Sequence, residues 1–178
     1  MFRLVQSDLF DLPVEAIVNP ANRQPELGWG SHVSEQIKAR AGDRVQVERE
    51  AFGILELGDT VSTSAGTLPF RSILHAAVLD MYDFNPLFLL RLRQRTSDAT
   101  LRQAMRTSLD LALHLNLRSV GYSLMGSGIG AMPEAKCARI IGENAIAHPV
   151  TEKAEILLAI PTDRLFETLR AALPVAWF

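Results

Sequence analysis

The stretch Leu124-Met125-Gly126-Ser127-Gly128-Ile129-Gly130-Ala131-Met132-Pro133-Glu134 sets alternating glycines between an apolar run and a helix-forming segment. Glycine accepts φ > 0 and lets backbone N–H groups approach an anion with no Cβ in the way. With a helix N-terminus behind it, opened by Pro133 in the first turn, such a loop suits a phosphate group. It lacks the Gly-Lys-Ser/Thr ending of a P-loop, and no second βαβ half follows to complete a dinucleotide fingerprint. A tight connection without a ligand has the same pattern.

A second loop has the same context. The strand Ala16-Ile17-Val18 leads into Asn19-Pro20-Ala21-Asn22, and Gly28-Trp29-Gly30-Ser31-His32 then precedes a helix. Two such loops on different strands can grip one diphosphate from opposite sides. Asn22 offers an amide to a sugar hydroxyl or forms a turn, whereas Asn19 before proline reads as turn-fixing. Asp8, at the end of the first strand, either caps the next turn or is a buried carboxylate accepting from an exocyclic amine. Trp29 either stacks on a sugar or base or covers the core edge. His32, with Glu35 beside it, is the acid–base candidate near neutral pH, and its plainer reading is a solvent-facing residue at a helix start. His75 falls on a central strand and reads as a hydrogen-bonded core residue. Cys137, the chain's single cysteine, has no base beside it in sequence and reads as helix packing.

The elements that must position these residues follow from hydrophobic periodicity. Strands are expected at Phe2 to Ser7, Ala16 to Asn19, Asp59 to Ser62, Ser72 to Val78, Ser119 to Leu124 and Glu155 to Ile160. Helices are expected at Val33 to Ala41, Arg44 to Phe52, Thr100 to Leu115 and Pro133 to about His148, with a last one capped by Asp163. Asp80 to Ala99, with its Arg91-Leu92-Arg93-Gln94-Arg95 cluster, reads as an irregular surface loop. Strands alternating with helices predict an α/β fold in one domain over residues 1–178, the sheet covered on both faces.

At 178 residues and a net charge of −2, the chain lacks the basic surface expected of a nucleic-acid or membrane partner. The N-terminus has no signal-peptide pattern, and no stretch approaches a membrane span. One cysteine suits a reducing cytoplasm, and no spacing suggests a metal site, so neither metal nor cofactor is expected. The apolar end Pro174-Val175-Ala176-Trp177-Phe178 either packs back on the domain or meets another subunit.

Together these segments resemble the macrodomain family, the ADP-ribose-binding α/β/α module built on a central mixed sheet. Ser7-Asp8-Leu9 resembles its Gly-Asp-Ile, and Val18-Asn19-Pro20-Ala21-Asn22 its Val-Asn-Ala-Ala-Asn. Ile37 to Gly42 matches the helix ending in Ala-Gly, and Ile73-Leu74-His75 its Val-Ile-His strand. Ser119 to Pro133 matches the strand with the late glycine loop. The resemblance implies that Asp8 receives the adenine amino group and that the Leu9 amide meets a ring nitrogen. It implies that Gly30, Ser31 and Val33 line one side of the diphosphate. The backbone N–H groups of Ser127, Gly128, Ile129 and Gly130 would line the other, with Asn22 at the distal ribose. The expected partner is ADP-ribose or an ADP-ribosylated or acylated derivative.

Departures from the family pattern bear on catalysis. Trp29 and His32 interrupt the first glycine loop, and Ser34 stands where MacroD-type hydrolases carry an aspartate. Gly130 replaces an aromatic residue, and the strand-end aromatic near adenine is replaced around Pro161-Thr162. Any hydrolysis would then use Asn22, His32 or Glu35. The alternatives are a pocket closed by Trp29 and His32, leaving a structural or partner-binding module, or a binder of RNA or poly(ADP-ribose).

Overall fold

The structure is a computed structural model, and it describes residues 1–81 and 96–178. Six strands form one sheet: β1 (Phe2–Val5), β2 (Ala16–Asn22), β3 (Thr60–Ser64), β4 (Ser72–Leu79), β5 (Ser119–Tyr122) and β6 (Glu155–Ala159). Their order is β1-β6-β5-β2-β4-β3. All neighbours run parallel except β3, which lies antiparallel to β4 at one edge. Among the described residues the helices are α1 (His32–Arg40), α2 (Asp43–Glu50), α3 (Asp98–His114), α4 (Glu134–Ala147) and α5 (Asp163–Ala172).

Every residue of β2 and β4 is buried, as strands covered on both faces require. Side chains alternate between the two faces, as the two-residue strand period demands. Ala16, Val18, Leu74, Ala76 and Val78 pack with Leu101 and Met105 of α3 and Ile141 of α4. Ile17 and Ile73 pack with Ile37 of α1 and Val45 of α2. The result is the expected three-layer α/β/α arrangement with a mixed central sheet.

Several boundaries differ from the sequence reading, each for a local reason. β2 continues through Pro20 to Asn22. Its pairing with β5 covers only Ala16 and Ile17, so beyond Ile17 one flank of β2 has no ladder for a proline to interrupt. α3 begins at Asp98 rather than Thr100, because the Ser97 hydroxyl accepts from the Thr100 N–H at 3.0 Å and caps the helix there. The cap of α5 is Thr162, in extended conformation, rather than Asp163. Asp163 is instead the first helical residue, favoured there by the helix dipole, and accepts from Gln6 Nε2 at 2.6 Å. Within the expected Asp80–Ala99 loop, residues 82–95 and their arginine cluster lie outside the described residues.

The apolar C-terminal end packs back on the domain. Trp177 meets Phe2 edge-on with ring centroids 5.3 Å apart, and Phe178 meets Phe166 at 5.4 Å. No helix among the described residues is long and apolar enough to cross a membrane.

Candidate functional site

From β2 the chain runs toward β4 and β3, and from β5 it runs toward β6 and β1. The crevice at the carboxyl ends of β2 and β5 is therefore the topological switch point, where open α/β sheets hold ligands. A cavity of about 590 Å³ occupies it. Pro20 of β2 and Ser123, Leu124 and Met125 beyond β5 form its floor.

The late glycine loop, residues 126–131, makes one wall. Met132 N–H donates to the Gly126 carbonyl at 3.0 Å and Ala131 N–H to the Gly128 carbonyl at 3.0 Å, closing the loop on itself. The N–H groups of Gly128, Ile129 and Gly130 have no partner among the described residues, and all three residues line the cavity. Ser127 departs from expectation. Its N–H and hydroxyl both turn back to the Leu124 carbonyl, at 3.3 and 2.7 Å, so it shapes the loop rather than offering its amide. Gly130 is glycine by necessity: a Cβ there would lie 2.4 Å from the Gly126 carbonyl oxygen and 2.7 Å from Thr96 Oγ1. Thr96, buried and donating to the Val78 carbonyl at 2.8 Å, occupies the space a larger residue would need.

The first glycine loop and the start of α1 make the opposite wall. Gly30 has φ +91 and is buried against Leu79. Ser31 caps α1 by accepting from the Ser34 N–H at 3.0 Å. The His32 and Val33 N–H groups at the helix start, where the helix itself supplies no acceptor, have none among the described residues. Gly30, Ser31 and Val33 all line the cavity. Ser34 does not; it is buried, and its hydroxyl accepts from Gly28 N–H at 3.0 Å to hold the loop.

The far end is apolar. Leu9, Phe10, Pro161 and Leu165 line it, with Asp8 at its edge. Asp8 is exposed rather than buried, and its Oδ1 caps the short 3-10 turn at Leu9–Asp11 by accepting from Phe10 N–H at 2.9 Å. The Leu9 N–H has no partner among the described residues. Pro161 stands where the family resemblance put the strand end near adenine, whereas Phe10 and Leu165 were not signalled by the sequence, since apolar residues of a cavity wall look the same as core residues.

The remaining candidates are placed as follows. Asn22 is buried at the back of the first loop, its Cβ 3.8 Å from where a Gly30 Cβ would stand. Its Oδ1 accepts from Met81 N–H at 3.1 Å, and its Nδ2 has no partner among the described residues. It does not line the cavity. His32 and Glu35 line the mouth and face solvent, with His32 Nδ1 3.6 Å from Glu35 Oε2 and its Nε2 2.9 Å from Gln36 Nε2. Trp29 is 56 % exposed and is not part of the lining, so it leaves the cavity open.

Behind β2 a buried polar chain fixes the strand end. Thr63 Oγ1 donates to the Ser64 carbonyl at 2.8 Å and therefore accepts from His75 Nε2 at 2.9 Å, leaving His75 Nδ1 to accept from Asn19 Nδ2 at 3.1 Å. Burial, with the Arg49 charge nearby, pushes the His75 imidazole down to about 3, so it stays neutral. Cys137 is packed under the late glycine loop, its Sγ 3.4 Å from where a Gly126 Cβ would stand, and burial pushes its thiol up to about 12. Both are structural, as their sequence positions suggested.

Comparison with known proteins agrees with this geometry. The chain is 31% identical over 160 residues to a macro domain-containing protein of Streptomyces griseus, covering 86% of this chain and 84% of that one. It is 28% identical over 155 residues to the O-acetyl-ADP-ribose deacetylase of Citrobacter rodentium, covering 85% and 81%. Longer relatives also match: the chain spans 43% of an uncharacterized Mycobacterium tuberculosis protein, at 27% identity over 94% of this chain. An Oceanobacillus iheyensis macrodomain with ADP has the same fold, with a TM-score of 0.76 at 21% identity over 95% of this chain and 87% of that one. A Trypanosoma brucei macrodomain in complex with ADP-ribose superposes with a TM-score of 0.73 at 26% identity, over 94% of this chain and 67% of that one. With residues 18–141 matching the macro domain model, the chain belongs to the macro domain family.

Proposed function

We propose that this protein binds ADP-ribose, free or as an ADP-ribosylated or O-acylated derivative, in the cavity between β2 and β5. The observation that carries the reading is the pair of walls bearing N–H groups without partners among the described residues: Gly128, Ile129 and Gly130 on one side, His32 and Val33 on the other. Opposed backbone donors suit a diphosphate and explain anion binding by a chain of net charge −2. The adenine ring takes the apolar end by Phe10, Pro161 and Leu165, its amino group facing Asp8 and a ring nitrogen meeting the Leu9 N–H. Gly30 and Ser31 flank the diphosphate, and Asn22 Nδ2 stands behind Gly30 toward the distal ribose. The open cavity speaks against the closed-pocket alternative. The reading also takes residues 1–178 as one domain in a reducing cytoplasm, with no membrane partner; RNA or poly(ADP-ribose) in the same diphosphate cradle is the alternative, which a steep salt dependence of binding would favour.

Isothermal titration calorimetry with ADP-ribose and AMP tests the proposal. Micromolar binding of ADP-ribose, clearly tighter than that of AMP, is expected, and no heat at millimolar ADP-ribose would overturn it. A slow hydrolysis of O-acyl-ADP-ribose or ADP-ribosyl linkages belongs to the same proposal, supported by the Citrobacter relative's name and by His32 and Glu35 at the mouth. For that activity His32→Ala abolishes turnover while affinity stays within a few-fold; unchanged turnover removes His32 from the mechanism.

A further inference from the structure

The connection from β2 to α1, residues 23–31, carries the first glycine loop and has an unusual support. Residues 24–30 form no helix or strand, only a turn at Leu27 and Gly28. Side chains of α2 tie this segment down. Gln46 accepts from Leu27 N–H at 2.9 Å through Oε1 and donates to the Pro25 carbonyl at 3.4 Å through Nε2. One helical turn on, Arg49 reaches the Arg23 and Gln24 carbonyls with Nη2, at 3.2 and 3.3 Å, and the Gly53 carbonyl with Nη1 at 2.9 Å. Arg49 is only 1% exposed; its guanidinium hydrogen-bonds these carbonyls, and the Glu26 carboxylate adds an electrostatic attraction without a hydrogen bond among the described residues. A buried guanidinium is costly unless its donors are satisfied, so its presence here calls for a geometric reason. A planar fork that meets three carbonyls from two segments supplies one.

We infer that Arg49 and Gln46 are positioning residues for ADP-ribose, acting through the 23–28 backbone to set where Gly30 and the α1 N-terminus meet the ligand. This rests on the proposed binding reading. Neither residue lines the cavity, so neither contacts the ligand. Their effect falls on the wall built by the first loop and spares the adenine end, which rests on β1, β6 and the 3-10 turn. The two halves of one ligand therefore respond differently.

The test uses Gln46→Ala, Arg49→Lys and Arg49→Met, each checked for native circular dichroism and melting. Gln46 is only half-buried, so Gln46→Ala keeps the question answerable if the arginine variants fail to fold. Two ligands, ADP-ribose and AMP, are titrated, and amide hydrogen exchange of residues 24–30 is measured without ligand. Gln46→Ala is expected to raise exchange at Leu27 and to weaken ADP-ribose about fivefold, the worth of one modest hydrogen bond, with AMP unchanged. Arg49→Met is expected to weaken ADP-ribose further, with partial rescue in Arg49→Lys. Equal losses for both ligands, or unchanged exchange in 24–30, overturn the inference. If wild-type protein binds neither ligand while exchange in 24–30 still rises, the binding proposal fails and the clamp itself stands.

Discussion

Gly130→Ala is the sharpest test of the late glycine loop as a rigid donor array. The new Cβ would lie 2.4 Å from the Gly126 carbonyl oxygen and 2.7 Å from Thr96 Oγ1, well inside contact distance. Neither neighbour yields freely. The Gly126 carbonyl accepts from Met132 N–H at 3.0 Å, and Thr96 donates to the Val78 carbonyl at 2.8 Å. Relief of the clash must displace one of them, an overpacking cost of about 2 kcal/mol. For a domain of this size that lowers Tm by about 4–8 °C. Gly128→Ala is the matched control, since among the described residues nothing lies within 4 Å of its Cβ position. Its stability is expected to stay within about 0.5 kcal/mol of wild type. Scanning calorimetry reads both, and titration with ADP-ribose shows whether the displaced N–H groups of Gly130→Ala cost at least tenfold in affinity. Equal melting of Gly130→Ala and wild type, or a less stable Gly128→Ala, refutes the reasoning.

Asp8→Ala removes a turn cap and the proposed adenine acceptor together, so ADP-ribose and AMP weaken while ribose 5-phosphate does not; equal losses for all three exclude the adenine assignment. His75 gives a pH signature. Its folded value near 3 lies below the unfolded 6.5, so the unfolded chain binds the extra proton between those values. Its contribution is complete above pH 6.5 and falls by about 1.4 kcal/mol per unit as pH drops toward 3. Chemical denaturation of His75→Gln across that window is expected to show a shallower acid slope than wild type; identical slopes show that the buried imidazole does not control it. Cys137, buried with its thiol pushed up to about 12, is expected to resist a disulfide reagent in the native state and react on unfolding. Rapid native labelling contradicts its packed position.

The parts of the site legible in the sequence are those where backbone geometry dictates residue type. Gly30 and Gly130 are fixed by close approach, and close approach leaves a glycine that can be read directly. β2 and β4 show as apolar runs because both their faces are covered. The other half of the site was hidden for an equally physical reason. Phe10 and Leu165 converge from opposite ends of the chain, and no local pattern separates a cavity wall from a core. Asp8 offered two readings, and the cap at Phe10 N–H describes its exposed carboxylate. α2, Asp-Arg-Val-Gln-Val-Glu-Arg-Glu, was legible as a helix, but nothing in its sequence marks Arg49 as buried. The carbonyls of Arg23 and Gln24, remote in sequence, and that of nearby Gly53 explain the burial, with the Glu26 charge beside them.

The two tryptophans stand in opposite surroundings, and this gives the protein its own optical label. Trp177 is 7% exposed and packed on Phe2, whereas Trp29 is 56% exposed on the first glycine loop. Emission from the wild-type chain is therefore a sum of a shielded and a hydrated indole. A soluble quencher such as iodide reaches only the second. A Trp177→Phe chain would report solely from the loop beside Gly30, so ligand arrival there becomes visible as a change in quenching without any attached dye.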